Sequence, residues 1–255
     1  MDFLANGVQG LEPSQFLMVG VVAFLGAVLG GVSGFGAGLI VTPFLLPVVG
    51  VKAVVPVMSI AMMFGNLSRL WVYRSRVDRG VVLRILGPAM PGVILGTLLY
   101  DFLPQRPLAA CIGAFLLISI PLRRWLARKE VTPTTRVVLG VSGLFGLISG
   151  ALPGGGVVLM PLLLGLGISG GGLVGTDAVI GLAVNAIKVL MFGKLDLVNT
   201  DILLAGLLVG LCMIPGAYGA RWLIDRLHVR MHTVLIELLV TFSGVSFIWS
   251  AMHSA

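Results

Sequence analysis

Apolar runs, many of them long enough to cross a lipid bilayer, recur along the whole chain with only short polar breaks between them. They fall at residues 15–30, 38–50, 51–73, 81–103, 107–122, 137–149, 157–168, 173–193, 202–223 and 233–252. A span needs about 20 apolar residues to cross about 30 Å of hydrocarbon. Of the 255 residues, 58% are hydrophobic and 11% charged, with a mean hydropathy of +1.09, against about 25% charged in soluble domains. No water-soluble surface can be built from that composition. The expected class is an all-α polytopic membrane protein with about 8 to 10 membrane segments.

The charges give these segments a side. Arg69, Arg74, Arg76, Arg79 and Arg84 crowd the turn between the third and fourth segments. Arg123, Arg124, Arg128, Lys129 and Arg136 crowd a central loop, and Arg221, Arg226 and Arg230 the last one. If every segment reverses direction, all three clusters share one face, which the positive-inside rule assigns to the cytoplasm. Both termini then face outward. Asp2 and Glu12 precede the first base, Lys52, so the start of the chain reads as a retained helix rather than a cleaved signal. The net charge of +7 suits anionic lipid headgroups beside the spans, and no nucleic-acid partner is expected.

The chain also repeats. Val32-Ser33-Gly34-Phe35-Gly36-Ala37-Gly38, running on to Pro43, matches Ile148-Ser149-Gly150-Ala151-Leu152-Pro153-Gly154-Gly155-Gly156, running on to Pro161. Downstream, Asn66 and Arg69 answer to Asn185 and Lys188, Arg76-Val77-Asp78 to Lys194-Leu195-Asp196, and Pro91-Gly92 to Pro215-Gly216. The first repeat spans 1–122 and the second 137–255, with 123–136 as a basic cytoplasmic linker. Five segments per repeat is an odd number, so the second copy enters from the opposite face. That is an inverted-topology repeat of the kind from which secondary transporters build midplane sites with broken helices.

Glycine-rich backbone inside lipid survives only when buried in protein or lining a cavity. Each glycine cluster opens a segment too short to span, one expected to be broken or re-entrant. The first N–H groups of such a helix and its positive dipole end attract anions. Candidate substrate contacts are therefore Ser33, Gly34, Gly36 and Gly38 in one copy and Ser149, Gly150, Gly154, Gly155 and Gly156 in the other. The competing reading is close helix packing through small residues. On helical spacing, Ser59, Met62, Asn66 and Arg69 share one face, as do Asp177, Gly181, Asn185 and Lys188. Asn66, Asn185 and Thr176 join the substrate candidates, the two asparagines weighed against interhelical hydrogen bonds. Arg69 and Lys188 either pair with charge or snorkel to an interface. Asp177 pairs with Lys188, couples a proton, or caps a helix beginning at Thr176. Glu237 is a second intramembrane carboxylate, and with Asp177 a candidate for coupling.

Other chemistry is poorly supported. Cys111 and Cys212 lie far apart in apolar runs, giving no disulfide framework and no metal-ligand spacing. His228 and His232 lack a third ligand, and no cofactor, hydrolase or nucleotide motif occurs.

In its glycine-rich openings through Pro43 and Pro161, its Gly175-Thr176 pair, its turns ending at Asp78 and Asp196 and its Pro91 and Pro215 starts, the sequence resembles the sulfite exporter TauE/SafE family over nearly its whole length. The resemblance implies a multi-pass protein of the bacterial inner membrane that moves sulfite, organosulfonates or related small sulfur-containing anions, often outward. Such sequences commonly carry Ser after that Thr, where this chain has Asp177. The leading expectation is a secondary transporter of a small oxyanion. An anion channel and a non-transporting accessory subunit are the alternatives. A proton is the candidate coupling ion, and a homo-oligomer is compatible with the same sequence.

Overall fold

A helix closes its backbone hydrogen bonds within one segment, which is what hydrocarbon demands of a single strand of chain. The computed structural model describes residues 13–33, 36–127, 133–224 and 229–253, and among these every regular element is helical. In chain order they are α1 Pro13–Ser33, α2 Gly36–Val49, α3 Val51–Tyr73, α4 Arg79–Phe102, α5 Gln105–Ala127, α6 Thr135–Ala151, α7 Gly156–Gly165, α8 Gly170–Lys194, α9 Thr200–Ile224 and α10 Val229–His253. A short 3-10 turn, Arg74–Arg76, follows α3. Gly34, Arg128, Lys129, Arg226 and His228 lie outside the described residues, as do the side chains of Ser33, Arg123, Arg221, Arg230 and His232 and the surroundings of Gly36.

The ten expected segments correspond to ten helices, of which α3, α4, α5, α8 and α9 are long and apolar enough to cross a membrane. Large apolar side chains such as Leu83, Leu190 and Trp249 point outward, where a bilayer and not water is the matching solvent. α2 has 14 residues and α7 has 10, lengths of about 21 and 15 Å at about 1.5 Å per residue. Neither crosses about 30 Å of hydrocarbon. α2 instead folds back along α1, with Gly26 against Ile40 and Val41 and Gly30 against Ala37. Gly50, at φ 77, then turns the chain into α3. At the other end of α3, Asp78 accepts from the Val81 N–H at 3.0 Å and starts α4.

Packing follows the duplication. α4 lies on α6 and α9 on α1; α3 lies on α9 and α8 on α4; α2 lies on α10 and α7 on α5. Exchanging the repeats turns each of these pairs into its partner. Two further pairs map onto themselves, α3 with α8 and α5 with α10. In the first, Asn66 meets Gly181, Arg69 meets Asp177, Tyr73 meets Gly175 and Arg76 meets Gly171. In the second, Gly113 meets Gly244 and Ile248, and Arg124 meets Glu237. One number rises as the other falls, so both pairs of equivalent helices run antiparallel. The repeats are inverted.

The Pro-Gly markers acquire a reason here. A Cβ at Gly92 would meet the Gly143 backbone oxygen of α6, and one at Gly216 would lie 2.9 Å from the Phe24 oxygen of α1. Both glycines let two backbones approach closely, as small residues do between membrane helices. The consequence is an exchange. One apolar core is built almost wholly from α1, α2, α3 and α9 with α5 and α10, the other from α4, α6, α7 and α8. Each core therefore takes one of its long helices, α9 or α4, from the opposite half of the sequence.

Candidate functional site

The middle of α3 and the middle of α8 cross where the two cores meet, and a cavity of about 100 Å³ opens there. From α3 come Met58, Ser59, Met62, Asn66 and Arg69; from α8 come Asp177, Gly181, Val184, Asn185 and Lys188. Gly38 of α2 and Ser149, Gly154, Gly155 and Gly156 around the start of α7 close the wall, with Val55, Phe145 and Leu159 as apolar lining.

α7 begins at this wall because the chain must reverse between α6 and α7. Gly154 makes the turn at φ 88, a conformation glycine adopts without steric cost. It leaves no room for a side chain, since a Cβ there would press on Leu39 of α2, and one at Gly155 would overlap the Ser149 hydroxyl. The Val157 and Val158 N–H groups bond back to Gly154 and Gly155. Those of Gly154, Gly155 and Gly156 have no acceptor among the described residues, and neither does the Ser149 hydroxyl. A set of uncommitted donors at a helix N-terminus is suited to an anion.

Arg69 and Asp177 form a buried ion pair, Nη1 to Oδ2, at 3.2 Å. A second nitrogen of Arg69 donates to the Asn66 side-chain oxygen. Asn66 thus orients the guanidinium and packs against Gly181. Asn185 donates to the Gly181 carbonyl at 2.7 Å, one turn earlier in its own helix, in place of the interhelical bond weighed as its alternative. Lys188 is 6% exposed, lines the cavity and has no hydrogen-bond or carboxylate partner among the described residues.

Several expectations are corrected. Asp177 pairs with Arg69 and not with Lys188. It caps nothing, because α8 starts at Gly170 and encloses both Thr176 and Asp177. Gly170, at φ 56, opens the helix, and Gly171 and Gly172 lie under the end of α3 and the turn after it, where a Cβ at Gly171 would meet Tyr73 and Arg76. Thr176 does not line the cavity; its hydroxyl accepts from the Asp78 N–H at 3.1 Å. Gly150 packs on α4, where a Cβ would lie 3.0 Å from the Gly96 Cα, so packing explains it. Arg69 and Lys188 are both buried and do not snorkel outward. Glu237 is held by Arg124, Nε to Oε1, at 3.0 Å, and is not among the residues that line the cavity. Met58, Phe145 and Leu159 were missed. The i and i+4 spacing of Phe145 and Ser149 could have found the first of the aromatic or aliphatic walls.

Inverted helix repeats around a polar cavity, with short broken helices opening into it, define a polytopic membrane protein of the secondary-transporter type. The sequence profile of the sulfite exporter TauE/SafE family matches residues 19–247, nearly the entire chain, and the protein belongs to that family of membrane transporters. No curated protein and no solved structure matches it.

Proposed function

We propose that the protein carries a small sulfur-containing oxyanion, such as sulfite or an organosulfonate, outward across a bacterial inner membrane, with both chain termini outside. The observation that supports this most is the wall formed by Ser149 and Gly154–Gly156, whose uncommitted donors face a cavity that also holds Lys188. Backbone N–H groups at a helix start, a hydroxyl and an ammonium are the groups that recognise a sulfonate or sulfite head. The cavity volume, about 100 Å³, suits a ligand of a few heavy atoms; drug-sized pockets run to about 300–1,000 Å³.

Movement follows from the two cores. The ligand sits where they meet, and rocking of one core on the other exposes the site to each face in turn, the halves of the sequence being shared between both. Export of a monovalent anion from a cell negative inside is favoured by about 2.3 kcal/mol per 100 mV, so no coupled ion is needed.

Purified protein in proteoliposomes tests the reading. Saturable sulfite flux that shows counterflow supports a carrier. Linear, non-saturating conductance would establish the channel alternative, and absence of flux the accessory-subunit alternative.

A further inference from the structure

The two repeats do not contribute equal charge to the site. The register that equates Asn66 with Asn185 and Arg69 with Lys188 equates Asp177 with Met58. The twofold relation between α3 and α8 therefore turns the Arg69–Asp177 ion pair into Lys188 facing Met58. Met58 is 3% exposed and Lys188 6% exposed, and both line the cavity. One side of the site is a closed acid-base pair, while its mirror image keeps the base and has lost the acid.

A buried ammonium without a counter-charge is costly in a membrane interior, and such residues pair or mark a substrate path. Here the position that symmetry reserves for the carboxylate is occupied by a thioether, and the open volume lies beside it. Arg69 and Asp177 cancel, so among the described residues the cavity lining carries one formal positive charge. Helix dipoles add attraction but no net charge. We infer that Lys188 is the counter-ion of the transported substrate and that the site is matched to a singly charged oxyanion, bisulfite or a monosulfonate, against doubly charged ones. A monoanion makes the loaded site formally neutral. A dianion leaves one uncompensated negative charge at the centre of the protein, which disfavours it on the order of 100-fold. The inference rests on the transport reading above and specifies its substrate.

The test is uptake of methanesulfonate (one charge) and sulfate (two charges) by proteoliposomes holding the full chain, with sulfite flux run in parallel. Four proteins are compared: wild type, Lys188→Met, Lys188→Arg and Met58→Asp. Each is checked for monodisperse elution and a wild-type melting profile. Wild type is expected to prefer methanesulfonate by at least about tenfold, a conservative fraction of the charge penalty. Lys188→Met, which removes a buried charge while keeping volume, loses methanesulfonate flux; Lys188→Arg retains it. Met58→Asp supplies the missing carboxylate, neutralises Lys188 and loses flux as well. Equal wild-type flux of the two anions, or Lys188→Met flux within about twofold of wild type, overturns this inference alone while the sulfite flux stands. No flux of any anion from wild type overturns the transport reading and this inference together.

Discussion

Arg69 and Asp177, 108 residues apart in sequence, meet inside the protein with Nη1 3.2 Å from Oδ2 and with both side chains 8% exposed. The pair joins α3 of one core to α8 of the other. It lies on the side of the cavity that leads to the Arg74–Arg76 turn, where Tyr73 and Gly175 also touch.

Removing one partner of this pair strands a buried charge. Asp177→Ala is expected to lower stability by about 3–5 kcal/mol, whereas replacing both, as Arg69→Met with Asp177→Leu, is expected to recover most of it. Thermal melting in detergent reads both. A double variant no more stable than the single one would show that the pair is not what holds Asp177 in place.

The close contact of α4 with α6 depends on glycine. A Cβ at Gly92 would lie 2.8 Å from the Leu147 backbone nitrogen of α6, so Gly92→Val should separate the helices at a cost of about 1–3 kcal/mol. The inverted repeat places Gly216 in the same role between α9 and α1, and Gly216→Val should cost a similar amount. Chemical denaturation of the two variants checks the match; a neutral result at either position would contradict the packing.

Rocking of the two cores predicts a reversible block. A Cβ at Gly175 lies 3.2 Å from the Tyr73 Cβ, close to the separation a disulfide bridges. With Cys111 and Cys212 replaced by Ala, Tyr73→Cys combined with Gly175→Cys should cross-link, stop sulfite flux and recover on reduction. Undiminished flux through the cross-linked protein would mean that α3 and α8 do not part on that side.

The side assignment is checked by a reporter fused after Ala255, expected to be active outside the cell. Cytoplasmic activity would reverse the orientation of every segment.

The helices were legible because lipid favours apolar runs broken only by short polar stretches, and the chain supplies ten such runs, five of them long enough to span. The inversion was legible because five segments is an odd number and Asn66, Asn185 and the Pro-Gly pairs mark the register. The partner of Asp177 was not, since it depends on how deeply α3 and α8 overlap, and a shift of one turn would have brought another residue to it. Thr176 was misplaced for a related reason. Gly170–Gly172 looks like a loop by local preference, yet Gly171 and Gly172 pack beneath the end of α3 and the turn after it as helix. The exchange of α4 and α9 between cores left no mark in hydropathy, because a helix presents the same composition to either neighbour. Gly150, Gly154 and Gly155 read alike in the sequence; the structure separates the first, which packs against α4, from the other two, which open the wall of the cavity.

The central claim is that an anion passes through that cavity, and Gly155 tests it most directly because nothing but hydrogen fits between it and Ser149. Sulfite flux into proteoliposomes should be saturable for wild type and should fall by at least about tenfold in Gly155→Leu, the loss of roughly one good substrate interaction, compared at equal amounts of monodisperse, cooperatively melting protein. Wild-type flux in a folded Gly155→Leu protein would contradict the account.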